Sequence, residues 1–265
     1  MYVDRELVRR VEYSAAEFCA RHVDALARLA PASGAAAQEC DGGQLISFGP
    51  GRYVNRAMGV GLGGGAADEI VGALGAFYGG RSLPASLEIG PWVDGALIAA
   101  LAANDYRLER YRNVYVRDLE SLPEASDVDI RPLDAHTSAA RKEILAFGAA
   151  PDSDARRFAG EVCESASMVK GVHDFVAVVD DAAVACGSLN IVEGIGWFGG
   201  AATLPEFQGR GLQQALLAYR LRLARSSNCD FVACTAVPDG QSARNVERLG
   251  FQLLYTQTVC THEKR

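Results

Sequence analysis

The chain has 265 residues, 49% of them hydrophobic and 22% charged, with a formal net charge of −7. That length holds two domains with a buried core each, and the acidic balance argues against nucleic acid as a partner. The first ten residues alternate charges instead of forming an apolar signal core, and no run reaches the roughly 18 apolar residues of a spanning helix, so no membrane partner and a cytoplasmic location are expected. Seven cysteines, an odd number without metal-ligand spacing, read as reduced core thiols, and no metal site is expected.

In chain order, apolar spacing predicts a helix over Arg5–Leu29, then a short strand at 44–48. Residues 56–65 read as a strand running into a glycine turn, and 69–78 as a helix. A strand at 86–89, a helix after Asp94-Gly95, and strands around 106–111 and 113–117 complete the first half. Residues 121–127 are the linker. After it come a strand at 128–131, helices at 138–147 and 155–165, and a hairpin of 174–179 and 183–191 through Asp180-Asp181. A strand at 195–204 enters a second glycine turn that opens a helix at Leu212. Strands at 231–237 and 251–260 flank a helix after Asp239-Gly240.

The two halves repeat an order of signals: a strand with a glycine turn, an Asp-Gly pair before a helix, and an aromatic-x-Leu strand. The pair-to-aromatic spacing is twelve in both, from Asp94 to Tyr106 and from Asp239 to Phe251. The glycine turns differ in chemistry. Gly61-Leu-Gly-Gly-Gly65 has no basic neighbour and precedes Asp68 and Glu69, which suit a helix N-terminus and repel phosphate, so it reads as structural. Asn55-Arg56 beside it reads as binding local backbone. Gln208-Gly-Arg-Gly-Leu212 carries Arg210 at the N-terminus of an apolar helix, where inward N–H groups and the helix dipole suit a phosphate.

The stretch from Leu204-Pro-Glu-Phe207 through Gln208-Gly-Arg-Gly-Leu212 to Ala215-Leu-Leu217 resembles the acetyl-coenzyme A motif of the GNAT superfamily of acyltransferases. That motif reads Gln or Arg, two free positions, Gly, one free position, then Gly or Ala. Gln208 and Gly211 fit it. Gln213 stands where Gly or Ala is usual, a departure that matters little if main-chain N–H groups hold the cofactor and that otherwise crowds the pyrophosphate. Ser242-Ala-Arg-Asn-Val-Glu-Arg-Leu-Gly-Phe251 is similar to the late GNAT helix that ends in Gly-Phe. The resemblance covers roughly residues 128–265.

The resemblance implies an α/β fold of two GNAT-like mixed-sheet units in tandem: a degenerate domain at 1–120, the linker, and a catalytic acetyl-CoA-binding domain at 128–265. It implies acetyl-CoA as acyl donor, its pantetheine arm against Ala201, Ala202 and Thr203. The pyrophosphate falls to Gln208, Gly209, Arg210, Gly211, Leu212, Gln213 and Gln214, with Ser242 and Asn245 touching the cofactor from the next helix. The implied activity is N-acetyl transfer to an amine of a small-molecule or peptide acceptor by direct attack. Two departures bear on catalysis. The Tyr that many relatives carry five residues before the Phe of Gly-Phe is Val246 here, and Cys234 stands about where some relatives place a glutamate base. The remaining candidates are Tyr255 as acid and Glu193 as base, each with a competing reading as a core and a turn residue. The alternative function is a non-catalytic acyl-CoA-binding or interaction module. His22, His136, His173 and His262, and Trp92 and Trp197, read as structural or packing residues.

Overall fold

The computed structural model describes residues 3–52, 54–134 and 137–262. Helix α1 (Arg5–Leu29) starts at Asp4, whose carboxylate accepts from the Leu7 N–H, and it buries Val8, Val11, Ala15, Val23 and Leu26 on one face. Strands β1 (Ala36–Cys40) and β2 (Gly43–Ser47) form an antiparallel hairpin, and β3 (Arg56–Met58) pairs antiparallel with β2. β1 went unrecognised in the sequence because Ala36-Ala-Gln-Glu-Cys40 carries no β-branched or aromatic residue. Helix α2 (Ala67–Gly79), strand β4 (Ala85–Ile89), helix α3 (Gly95–Ala103) and strand β5 (Arg107–Asp118) follow. The two strand pieces read from the sequence around 106–117 are one long strand.

Next come β6 (Asp129–Pro132), α4 (Thr137–Leu145), α5 (Asp154–Ala166), β7 (Val172–Val179), β8 (Ala182–Val192) and β9 (Ile195–Thr203). Helix α6 (Leu212–Ser226), β10 (Phe231–Ala236), α7 (Gln241–Glu247) and β11 (Gln252–His262) close the sequence of elements.

By contacts the chain divides into two compact units, Met1–Val114 with Leu254–Arg265, and Tyr115–Leu253. This differs from the boundaries read in the sequence at both ends of the second half. Tyr115 and Leu119 belong to the second unit because they are buried in its core, beside Phe175, Val184, Leu216 and Val246. Residues from 254 onward belong to the first because β11 pairs antiparallel with β4, Val259 opposite Glu88 and Thr261 opposite Ser86.

Both units are α/β with mixed sheets. In the first, β3 and β4 are parallel while β1, β2 and β11 pair antiparallel to their neighbours. In the second, β6, β7, β8 and β9 form an antiparallel meander and β10 lies parallel to β9. The larger core of the second unit packs Leu212, Leu216, Leu217 and Leu221 of α6 on Leu189, Phe198 and Val232. On the other face, Ile144 of α4 packs on Val176, Val178 and Cys186.

Candidate functional site

β9 and β10 pair only briefly, at Ile195 with Phe231, Gly196 with Val232 and Trp197 with Ala233. Beyond that point Phe198 to Thr203 on one strand and Cys234 to Ala236 on the other wall a cleft of about 820 Å³ in the second unit. Helix α6 enters it through Leu212, Leu217 and Arg220, and α7 through Gln241, Ser242, Asn245 and Val246.

A bulge opens the β9 side. Cys186 of β8 faces Ala202 and Ser188 faces Gly199, so Gly200 and Ala201 share the place opposite Gly187. Gly200 takes φ +54°, and a Cβ there would stand 2.6 Å from the Ser188 hydroxyl. Behind it lies a buried polar cluster. Arg141 Nη2 pairs with Asp174 at 3.0 Å and donates to Ser188 Oγ, whose hydroxyl donates to Asp174 at 2.5 Å, while Arg141 Nη1 donates to Cys163 Sγ.

The second glycine turn forms the mouth of the cleft. Gly209 and Gly211 both take φ near +77°, where a side chain is strained, and a Cβ on either would meet nothing within 4 Å. Gly211 is the N-cap of α6, and no side chain caps that helix. The first N–H groups of α6 therefore face an open concavity, which is the arrangement that binds an anion.

The first glycine turn is built differently. Asp41, in the tight turn between β1 and β2, places its carboxylate inside it. Oδ2 accepts from the N–H of Gly61 at 3.0 Å and of Gly63 at 3.1 Å, and Oδ1 from Gly65 at 2.8 Å. The N–H groups that could hold a phosphate already hold a carboxylate of the chain itself. Beside this turn Asn55 accepts from the Phe48 N–H and donates to the Gly49 carbonyl, and Arg56 pairs with Glu88 at 2.7 Å.

Of the residues expected to hold coenzyme A, Ala201, Ala202, Thr203, Gln208, Gly209, Gly211, Leu212, Gln213, Gln214, Ser242 and Asn245 all line this one cleft. Arg210 does not; its guanidinium lies over the Phe207 ring, 4.9 Å from the centroid. Gln213 does not crowd the turn. Its Nε2 folds back to donate to the Ala202 carbonyl at 2.8 Å and the Thr203 hydroxyl at 2.9 Å, both at the end of β9. The Asn245 amide oxygen accepts from Gln241 Nε2.

The acid and base candidates lie elsewhere. Glu193 is exposed in the β8–β9 turn, about 20 Å along the strand from Gly199. Tyr255 is buried in the first unit, its hydroxyl donating to Glu12 at 2.7 Å and its ring edge-on to Trp92. Burial, then the neighbouring Glu12 carboxylate, push its phenol far above the ordinary range. Neither lines the cleft. Cys234 does, and burial pushes its thiol up to about 12, so it stays protonated at neutral pH. His22 is buried edge-on to Phe18 in α1, His262 lies against Tyr106, His173 is exposed on β7, and His136 falls outside the described residues.

One cleft residue escaped the sequence reading. Arg220 is 1% exposed and sits on the apolar stripe of α6 with Leu216, Leu217, Leu221 and Ala224. Its Nε donates to the Leu216 carbonyl and its Nη1 to the Ser188 carbonyl, both at 3.0 Å. A charged residue at a stripe position is a signal the sequence does hold. Among the described residues that line the cleft, the ionisable side chains are Arg220, Cys234 and Arg248, with no carboxylate among them. The cleft thus has an open N–H cradle at its mouth and a cation inside, which suits an anionic ligand.

Residues 141–251 match the family model described as the acetyltransferase (GNAT) family. No curated protein sequence matches the chain significantly. Among solved structures, the chain is similar to a GCN5-related N-acetyltransferase from Kribbella flavida, with a TM-score of 0.67 at 17% identity, over 97% of this chain and 96% of that one. A tandem GNAT protein from the clavulanic acid biosynthesis pathway aligns with a TM-score of 0.58 at 17% identity, over 83% and 73%. An acetyltransferase from the GNAT family of Colwellia psychrerythraea aligns at 0.51 and 14% identity, over 73% and 72%. These identities speak for a common fold. With the family match over the cleft-bearing segment, they show that the chain has the fold of these GNAT structures and that residues 141–251 are similar to the GNAT acetyltransferase family.

Proposed function

We propose that the protein is an N-acetyltransferase that takes its acyl group from acetyl-CoA in the cleft of the second unit, the first unit being a degenerate GNAT-like domain. The observation that carries this reading is the contrast between the two glycine turns: the second is open beneath an uncapped helix, and the first is filled by Asp41. The pyrophosphate would lie on the N–H groups from Gly209 to Gln214, and the pantetheine arm would run along Ala201, Ala202 and Thr203 where β9 has left β10. Ser242 and Asn245 stand on the facing helix. Arg210, stacked on Phe207 at the mouth, adds positive charge near the phosphates without walling the cleft.

Transfer by direct attack of a neutral amine on the thioester fits a cleft whose one thiol is held protonated. The acceptor is a small-molecule or peptide amine. The second reading, a non-catalytic acyl-CoA-binding or interaction module, draws on the absence of a carboxylate, histidine or tyrosine among the described cleft residues.

Calorimetry with acetyl-CoA tests the site: Gly211→Asp puts a carboxylate at the turn and should abolish measurable binding. Undiminished binding in that variant would sink the assignment. A thiol-release assay across a panel of amines then separates the readings, because a binding module shows no amine-dependent release.

A further inference from the structure

Among the described residues the cation in the cleft has no counter-ion. Arg220 is fully enclosed, yet no Asp or Glu pairs with it among the described residues, and the titratable groups acting on it are the thiols of Cys234 on β10 and Cys186 on β8. On the opposite face of β8, Arg141 and Asp174 neutralise each other. Burying a guanidinium without an anion is costly, and main-chain carbonyls compensate for part of it. Nε and Nη1 are committed to such carbonyls, whereas Nη2 has no hydrogen-bond partner. Burial pushes the guanidinium down to about 10, so it remains charged at neutral pH.

Its position within the cleft is specific. The guanidinium carbon lies 4.7 Å from the centre of the Phe198 ring, and Nη1 approaches the Gly199 carbonyl at 3.5 Å. Phe198 is the first residue of β9 beyond the last pair with β10, so the cation stands at the root of the gap between the strands. Along α6 it lies about 13 Å from Gly211. A ligand held by its phosphates at the turn reaches Arg220 only with its far end.

For an acyl-CoA that far end is the sulfur. In the transfer, the acceptor nitrogen forms a bond to the thioester carbon and the carbon–sulfur bond breaks. Its electron pair stays on the sulfur as thiolate, and the proton of the amine passes to water. Negative charge therefore develops at the sulfur, in a cleft with no described Tyr, His or Lys to receive it. We propose that Arg220 is the electrophilic group of this site, donating through Nη2 to the departing sulfur of coenzyme A. A fixed, enclosed cation with a donor unused in the free protein gains its partner only as that charge forms. This assignment rests on the acyl-CoA reading above.

The test needs no acceptor. Coenzyme A is bound to the full chain, and its thiol is titrated by ultraviolet thiolate absorbance between about pH 6 and 9, where Arg220 stays charged. Desulfo-coenzyme A serves as the blank, and Cys234, protonated throughout, stays silent. The bound thiol should ionise about one pH unit or more below that of free coenzyme A, and affinity should tighten with rising pH for coenzyme A but not for the desulfo analogue. Arg220→Met should return the thiol to its free value or above, and Arg220→Lys should retain part of the shift. Should Arg220→Met fail to fold, the wild-type comparison with the desulfo analogue decides alone. A bound thiol that ionises at or above its free value in the wild type overturns the role of Arg220 and leaves the binding reading intact. Failure of both compounds to bind overturns that reading and this assignment with it.

Discussion

Asp41 accepts from the N–H of Gly65 at 2.8 Å, the shortest of three such bonds that seat a side-chain carboxylate inside the first glycine turn. The carboxylate does for this turn what a phosphate would do for the other, so the first turn keeps the conformation of an anion cradle without an exogenous anion.

Asp41→Asn should therefore destabilise the first unit. Asp41 sits at φ 49°, which Asn tolerates, so the substitution isolates the loss of charge-assisted bonds. The expected cost is about 1–3 kcal/mol in chemical denaturation. Acetyl-CoA affinity should stay unchanged, and a fall in affinity without a fall in stability would contradict the division of labour between the two turns.

Glu12 predicts a pH dependence of stability. Its carboxylate accepts from Tyr255 Oη and from Gln257 Nε2 at 2.7 Å, and burial, opposed by the Tyr255 hydrogen bond and reinforced by Glu88, pushes it up to about 7 from 4.5. The folded chain thus binds this proton more tightly than the unfolded one. Its contribution is fully present below about pH 4.5 and is lost as pH rises toward 7, by on the order of 3 kcal/mol. Glu12→Gln should flatten that slope and raise stability at pH 8, with Gln257 free to turn its unpartnered Oε1 toward the new amide. A denaturation series across pH that is identical in both proteins would refute this.

Gly200→Ala should act through Ser188. The left-handed backbone at Gly200 costs an alanine about 1–2 kcal/mol, and its Cβ would stand 2.6 Å from a hydroxyl held by Asp174 and Arg141. Coenzyme A binding should weaken along with stability. Adding Ser188→Gly should recover part of the loss, a coupling of about 1 kcal/mol or more in a double-mutant cycle; strict additivity would mean that the two sites do not touch.

A fragment beginning at residue 126 should fail to fold stably. It would lack Tyr115 and Leu119, which the second core buries, and it would carry β11 without β4, leaving Tyr255, Gln257 and Val259 without the partners that bury them. Aggregation, or a melting transition well below that of the full chain, is the expected outcome. A soluble fragment that binds acetyl-CoA with full affinity would refute it.

The site was more legible than the division of the chain. Gly209 and Gly211 declare a left-handed turn before an apolar helix, and the residues named around it from Ala201 to Asn245, Arg210 excepted, line one cleft. The behaviour of Gln213 is not readable in the sequence, because a side chain's direction depends on which acceptors the fold brings near it, here the Ala202 carbonyl and the Thr203 hydroxyl. Nor is the membership of β11. Its alternating pattern states that one face is buried, yet Tyr255 and Val259 would suit a core in either unit, and only the pairing with β4 decides. The role of Tyr255 is hidden in the sequence for a related reason: its partner Glu12 lies 243 positions away.

That separation has a consequence for biosynthesis. Glu12 leaves the ribosome early, and the residues that satisfy its carboxylate, Tyr255 and Gln257, are made 243 and 245 positions later. At roughly 5–20 residues per second, the interval is on the order of 12–50 s. Throughout it, α1 lacks the partners of a carboxylate on its core-facing side, so the first unit cannot close until all of the second has been made. The unit made first is the one completed last.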